Sequence, residues 1–148
     1  MMKRFFFFPL ILLILGSCSC DPEKMMKGMV WGLNKMAGEG YFPSEEILEF
    51  GEFERVEVNM NRTNVDGKNY SYVQLRFFNG KNPNLQYNQE NIALRCAELY
   101  AQEYSKIKNY KEIQIVFIQS DPINPDNFAM NEYSFNVQDL LKTENPTL

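Results

Sequence analysis

An α+β two-layer sandwich is the fold class this sequence predicts. It has a four-stranded mixed sheet with one long helix on one face, in the order α-β-β-α-β-β. Three observations predict it. Residues 55–61 and 70–78 alternate apolar and polar on either side of an Asp66-Gly67 turn, the pattern of a hairpin. Residues 88–108 repeat apolar positions every three or four residues, the pattern of a helix. Ile113-Gln114-Ile115-Val116-Phe117-Ile118 is apolar toward both sides, as in a central strand covered on both faces. Paired strands around one long helix form two layers.

In chain order, Asp21-Pro22-Glu23 opens the first helix with an acidic cap, a proline at the first position and an acid in the first turn. Met26, Met29, Val30, Leu33, Met36 and Ala37 share one helical face, and Gly38 and Gly40 end it. Lys27, Asn34 and Lys35 interrupt the apolar run, so this helix does not span a membrane. Gly28 and Gly32 are read as a close approach to the sheet; a helix lying on a lipid surface is the other option. Pro43-Ser44-Glu45-Glu46 opens one short helical turn through Leu48. In the first strand Val56, Val58 and Met60 alternate with Arg55, Glu57, Asn59 and Asn61. In the second, Val73, Leu75 and Phe77 oppose Tyr70, Tyr72, Gln74, Arg76 and Phe78. Asn88 is expected to cap the long helix, which runs to about Lys108 with Ile92, Cys96, Leu99 and Tyr100 inward. The crossover through that helix makes the second and third strands parallel. After a loop stiffened by Pro122 and Pro125, the last strand runs near Met130 to Val137, with Tyr133, Phe135 and Val137 on one face.

The chain has 148 residues, 15 bases, 19 acids and a net charge of −4. No cationic excess is available to hold a phosphate backbone, so nucleic acid is not an expected partner. There is no histidine. Imidazole bases, Ser-His-Asp and Cys-His nucleophile systems and histidine-ligated zinc are thereby excluded. No phosphate-binding glycine loop, Gly-x-Ser-x-Gly elbow or Cys-x-x-Cys pair appears.

Met1-Met2-Lys3-Arg4 is a short positive segment, Phe5 to Leu15 is apolar, and Gly16, Ser17 and Cys18 follow. A charged start, a short apolar core and small residues describe a secretory signal. The stretch is shorter than the roughly 20 residues that cross a bilayer. Leu15-Gly16-Ser17-Cys18 resembles the lipobox of bacterial lipoproteins. That resemblance covers residues 1–18 and leaves the family of the remaining chain open. It implies cleavage after Ser17, diacylation of the Cys18 sulfur, palmitate among the acyl groups, and acylation of the new amine. Two or three acyl chains anchor firmly where one does not. Cys20 lacks a large aliphatic residue three positions before it, so Cys18 is the modified position. Residues 1–17 are thus read as the signal peptide, 18–24 as a tether, 25–142 as one α+β domain and 143–148 as a frayed tail. Cleavage removes Lys3 and Arg4 and no acid, leaving a more acidic remainder. The address is the bacterial cell envelope, the outer membrane ahead of the inner, with the domain in the periplasm or at the surface. Cys96 is read as a small core residue in preference to a disulfide with Cys20.

Three constellations invite chemistry. Glu45, Glu46, Glu49, Glu52, Glu54 and Glu57 are read as a solvated edge, not a catalytic acid pair, although such a band would also meet a basic partner. Asp121, Asn124, Asp126 and Asn127 offer oxygen ligands, but their spacing is not that of an EF-hand and the prolines account for the turn. Neither a metal nor a cofactor is expected. Tyr70, Tyr72, Arg76 and Phe78 form the candidate binding face, suited to protein or glycan if uncovered and to core if covered. The resulting expectation is a membrane-anchored envelope protein, not an enzyme, whose domain is a binding or assembly module with a protein partner. The alternative is a periplasmic inhibitor or immunity protein against a hydrolase or toxin.

Overall fold

The structure is a computed structural model and describes residues 22–124 and 126–142. The signal peptide, Cys18, Cys20 and the tail at 143–148 lie outside the described residues. By its contacts the chain divides into two compact units, one up to Gly32 and one from Leu33. Helix α1 (Pro22–Ala37) starts at the proline, whose missing N–H costs nothing at that position. Among the described residues, an added Cβ at Gly28 or Gly32 would meet no atom within 4 Å. No helix of the described residues is long and apolar enough to cross a membrane.

The unit from Leu33 is an α+β structure around one mixed sheet of order β1-β2-β3-β4. Strands β1 (Arg55–Val65) and β2 (Lys68–Phe78) form the antiparallel hairpin. Asp66 and Gly67 sit at φ 51° and 75°, the left-handed pair that matches the twist of a two-residue hairpin turn. β2 then pairs in parallel with β3 (Glu112–Ser120), and β3 antiparallel with β4 (Phe128–Asn136). The register places Val58, Leu75, Ile115 and Tyr133 in one row across the sheet. This row and its neighbours Val73, Phe77, Ile113 and Phe117 form the face under the helices. Val73, Leu75, Ile113 and Ile115 are wholly buried there, each stabilising by roughly 1.5–3 kcal/mol.

The short helix α2 (Glu45–Glu49) covers that face with Ile47. Ser44 stands at its N-cap without a side-chain cap bond; its N–H donates instead to Glu103 Oε2 at 3.2 Å. The long helix α3 (Gln89–Glu103) buries Ile92, Ala93, Cys96, Ala97, Tyr100 and Ala101. It stops short of the expected Lys108. Tyr104 turns to extended backbone (ψ 107°), and the Ser105 N–H donates to the Glu39 carbonyl at 2.9 Å, an exchange that ends the helical ladder. A separate 3₁₀ turn follows at Ile107–Asn109. Asn88 occupies the N-cap position, but its side-chain oxygen accepts from the Asn91 amide and caps no backbone N–H.

Val137 is not the last strand residue. It opens a further helix, α4 (Val137–Lys142), which reaches the core through Val137 and Leu140. The Asn136 Oδ1 accepts from the Gln138 N–H at 2.9 Å, and the Val137 N–H donates to the Lys111 carbonyl at 2.9 Å. These two bonds turn the chain out of the ladder.

Candidate functional site

Alternation along β2 places Tyr70, Tyr72, Arg76 and Phe78 on the face opposite the helices, as read from the sequence. Every helix of the Leu33–Lys142 unit that reaches the core does so from the other face. The four residues fall into two groups separated by Gln74, whose Nε2 donates to Gln114 Oε1 at 3.2 Å. Toward the hairpin turn, Tyr70 is 53% exposed, and the half-buried Tyr72 accepts from Asn61 Nδ2 at 3.3 Å. Toward the other end, Phe78 is only 8% exposed and joins Val116 and Ile118 in a small second cluster. Its ring lies beneath the Arg55 guanidinium, whose carbon is 3.5 Å from the centroid; that of Arg76 is 5.7 Å away. Glu57 bridges both cations, bonding Arg55 and lying 3.6 Å from Arg76. This patch is stapled by cation–π and ionic contacts. Phe78 therefore packs, and the accessible aromatic group of the four is Tyr70.

Arg55 completes the patch and was missed as a site residue. Counting back from the Asp66-Gly67 turn pairs Arg55 with Phe78, so the hairpin register carried the signal.

Two concavities also escaped the sequence. One, of about 420 Å³, has Phe53, Phe77 and Phe117 as its floor and the amides of Asn82, Gln86, Gln89 and Asn131 at its rim. Phe53 stacks on Phe117 at 5.3 Å, and Gln89 Oε1 accepts from Asn131 at 2.8 Å and Tyr133 at 3.0 Å. The other, a groove of about 890 Å³, lies among Lys108, Lys111 and Lys142 where β2 and β3 begin. Asn69, Ser71 and Gln138 line it as well.

The groups with displaced proton affinity lie elsewhere, in the interior beside α3. Burial pushes the Cys96 thiol up to about 12, outweighing the nearby Arg95. Burial also raises Tyr100, and it raises Tyr104 to about 12 with help from Tyr110. Each shift favours the neutral form, the opposite of what activates a nucleophile. Cys96 is a buried free thiol. In the 121–127 loop the Asp121 Oδ1 accepts from the N–H groups of Ile123 and Asn124, so the oxygen singled out as a ligand holds the turn. Among the described residues no group of three or more acids or cysteines could hold a metal ion.

Comparison with protein-family models, with curated proteins and with solved structures yields no match for this chain.

Proposed function

We propose that this chain is a lipid-anchored protein of the bacterial cell envelope whose α+β domain is a non-catalytic binding or assembly module. The observation that carries the reading is Leu15-Gly16-Ser17-Cys18, directly after a positive start and an apolar run. A thiol there becomes the attachment point for acyl chains, and an exported domain follows it. The chemistry of the domain supports a binding role. The chain has no histidine, its buried thiol is held neutral, and Arg55, Glu57 and Arg76 are engaged with one another and with Phe78. Recognition then belongs to surfaces: the half of the second face around Tyr70 and Tyr72, and the two concavities.

Metabolic labelling with a palmitate analogue tests the anchor. The intact chain takes up label and remains with membranes, and Cys18→Ala loses both. Undiminished labelling of Cys18→Ala overturns the reading.

A further inference from the structure

We propose that the 420 Å³ cavity at the carboxyl ends of β2 and β3 is a binding site for an uncharged saccharide, continued by the groove beside Tyr87. The inference rests on the binding-module reading and names its ligand class; it does not depend on the lipid anchor.

The cavity arises where the helical layer stops. α3 begins at Gln89, and ahead of it Leu85 of the 3₁₀ turn Pro83–Gln86 packs on the core. On the covered face, the row that pairs Phe117 with Asn131 is followed by one that pairs Gln119 with Ala129. The Ala129 methyl leaves open what a larger side chain would fill. Gly80 lets the loop close over the floor, since a Cβ there would overlap Leu85 and Phe53. The volume falls within the roughly 300–1,000 Å³ of small-molecule sites.

The polar groups of the lining are amides with bonding capacity in hand. The side chains of Gln86 and Gln119 have no hydrogen-bond partner among the described residues. Gln89 is held by its Oε1, which accepts from Asn131 at 2.8 Å and Tyr133 at 3.0 Å. That leaves the Gln89 Nε2 and the Asn131 Oδ1, a donor and an acceptor side by side, without partners. The neighbouring groove shares Gln86, Gln89 and Asn131 with the cavity and carries Tyr87. Tyr87 is 86% exposed and stacks on no other ring among the described residues.

This lining selects among ligand classes. Among the described residues that form it, Lys81 alone is charged. With no carboxylate the cavity offers nothing to a cation, and one lysine does not make a site for a polyanion. A wholly apolar ligand would strip water from the amides and bond none of them. A saccharide meets both demands. Each hydroxyl donates and accepts, as an amide side chain does, and the C–H faces of the sugar ring suit the electron-rich face of an aromatic such as Tyr87. A peptide could also bond amides, but it has no open ladder to join here. The Asp121 N–H donates to the Asn127 carbonyl and the Val137 N–H to that of Lys111, so alternation along the unbroken register turns the backbone groups of Ala129 and Asn131 toward β3.

The experiment uses the full chain, isotope-labelled, processed in a bacterial host and held in a polyoxyethylene detergent, which has no sugar headgroup. The probes are cellotetraose, maltotetraose, mannotetraose and tetra-N-acetylchitotetraose, with tetra-alanine as the peptide. NMR reads the side-chain amide signals, and chromatography reads any cleavage. The expected result is that at least one tetrasaccharide at millimolar concentration moves the signals of Gln86, Gln89 and Gln119 together, while Gln74 on the opposite face stays in place. Cys18→Ala binds equally. Tyr87→Ala, and Gln86→Ala with Gln119→Ala, each weaken binding roughly three- to tenfold. Ala129→Leu, at an exposed position, fills the cavity and removes binding without lowering Tm. Signals unmoved by all four tetrasaccharides overturn the site, as does undiminished binding by Ala129→Leu or by Gln86→Ala with Gln119→Ala. Tetra-alanine moving the signals where no saccharide does overturns the saccharide and leaves the binding-module reading standing. Cleavage of a bound tetrasaccharide supports the site and overturns the non-catalytic reading.

Discussion

Gly40 has a φ of +73°, and a Cβ built there would stand 2.1 Å from the Glu103 carbonyl oxygen. The loop after α1 passes so close to the end of α3 that a hydrogen atom is all the position admits. Gly40→Ala should destabilise the unit by about 2 kcal/mol or more, since both the left-handed backbone and the backbone clash oppose it. Urea unfolding checks this; an unchanged midpoint would mean that the loop does not pack as described. A second expectation at this scale concerns protons. The Cys96 thiol moves from 9.0 to about 12 and the Tyr104 phenol from 10.0 to about 12, both chiefly through burial; Tyr100 moves the same way. In each case the folded state holds the proton more tightly than the unfolded chain. The stability linked to it is whole below about pH 9 and is lost as pH rises through about 12. Tm measured upward from neutrality should stay level to near pH 9 and then fall, and Cys96→Ala should remove the earliest part of the fall. A Tm that stays level to pH 12 would contradict the burial of these groups.

At the scale of elements, α4 exists because Asn136 caps it. Its Oδ1 takes the Gln138 N–H, so Asn136→Ala should cost about 1 kcal/mol, and Asn136→Asp should retain most of it. Thermal unfolding distinguishes the two variants. That helix also marks where sequence reasoning stops. The hairpin was legible because Asp66-Gly67 fixes a register and alternation fixes the faces; β3 was legible because Ile113 to Ile118 is apolar toward both sides. Val137 matches the strand period of Tyr133 and Phe135, and only the tertiary bond from its N–H to Lys111 shows that the ladder has ended. The end of α3 was hidden for the same reason: Tyr104 and Ile107 continue the helical spacing, while the bond from Ser105 to Glu39 draws on a loop 66 residues earlier. The candidate face was legible as a face, since Tyr70, Tyr72, Arg76 and Phe78 are alternate residues of one strand. The guanidinium covering Phe78 was not, because it comes from β1. The basic groove takes residues from three segments that only the sheet brings together, around Asn69, Lys108 and Gln138, so no local pattern could announce it.

For the whole molecule, the consequence of this architecture is graded cooperativity. β2 and β3 each have a hydrogen-bonded neighbour on both sides, and their inward Val73, Leu75, Phe77, Ile113 and Ile115 are wholly buried; β1 and β4 each have a neighbour on one side only. Most of β4 is exposed, Phe128 and Met130 included. The chain up to Gly32 is a compact unit separate from Leu33 onward, although α1 itself crosses that boundary. Amide hydrogen exchange should therefore resolve three classes. Amides of β2 and β3 should exchange only through global unfolding, and the outward amides of β1 and β4 sooner. Those from Lys27 to Gly32 should exchange fastest, since two interior glycines weaken the helix. Gly28→Ala with Gly32→Ala should slow exchange in this helix by about 1 kcal/mol per site without moving the β3 amides, because an added Cβ meets nothing at either position. If the α1 amides instead share the exchange free energy of β3, the two units open as one, and the separation at Gly32 has no thermodynamic meaning.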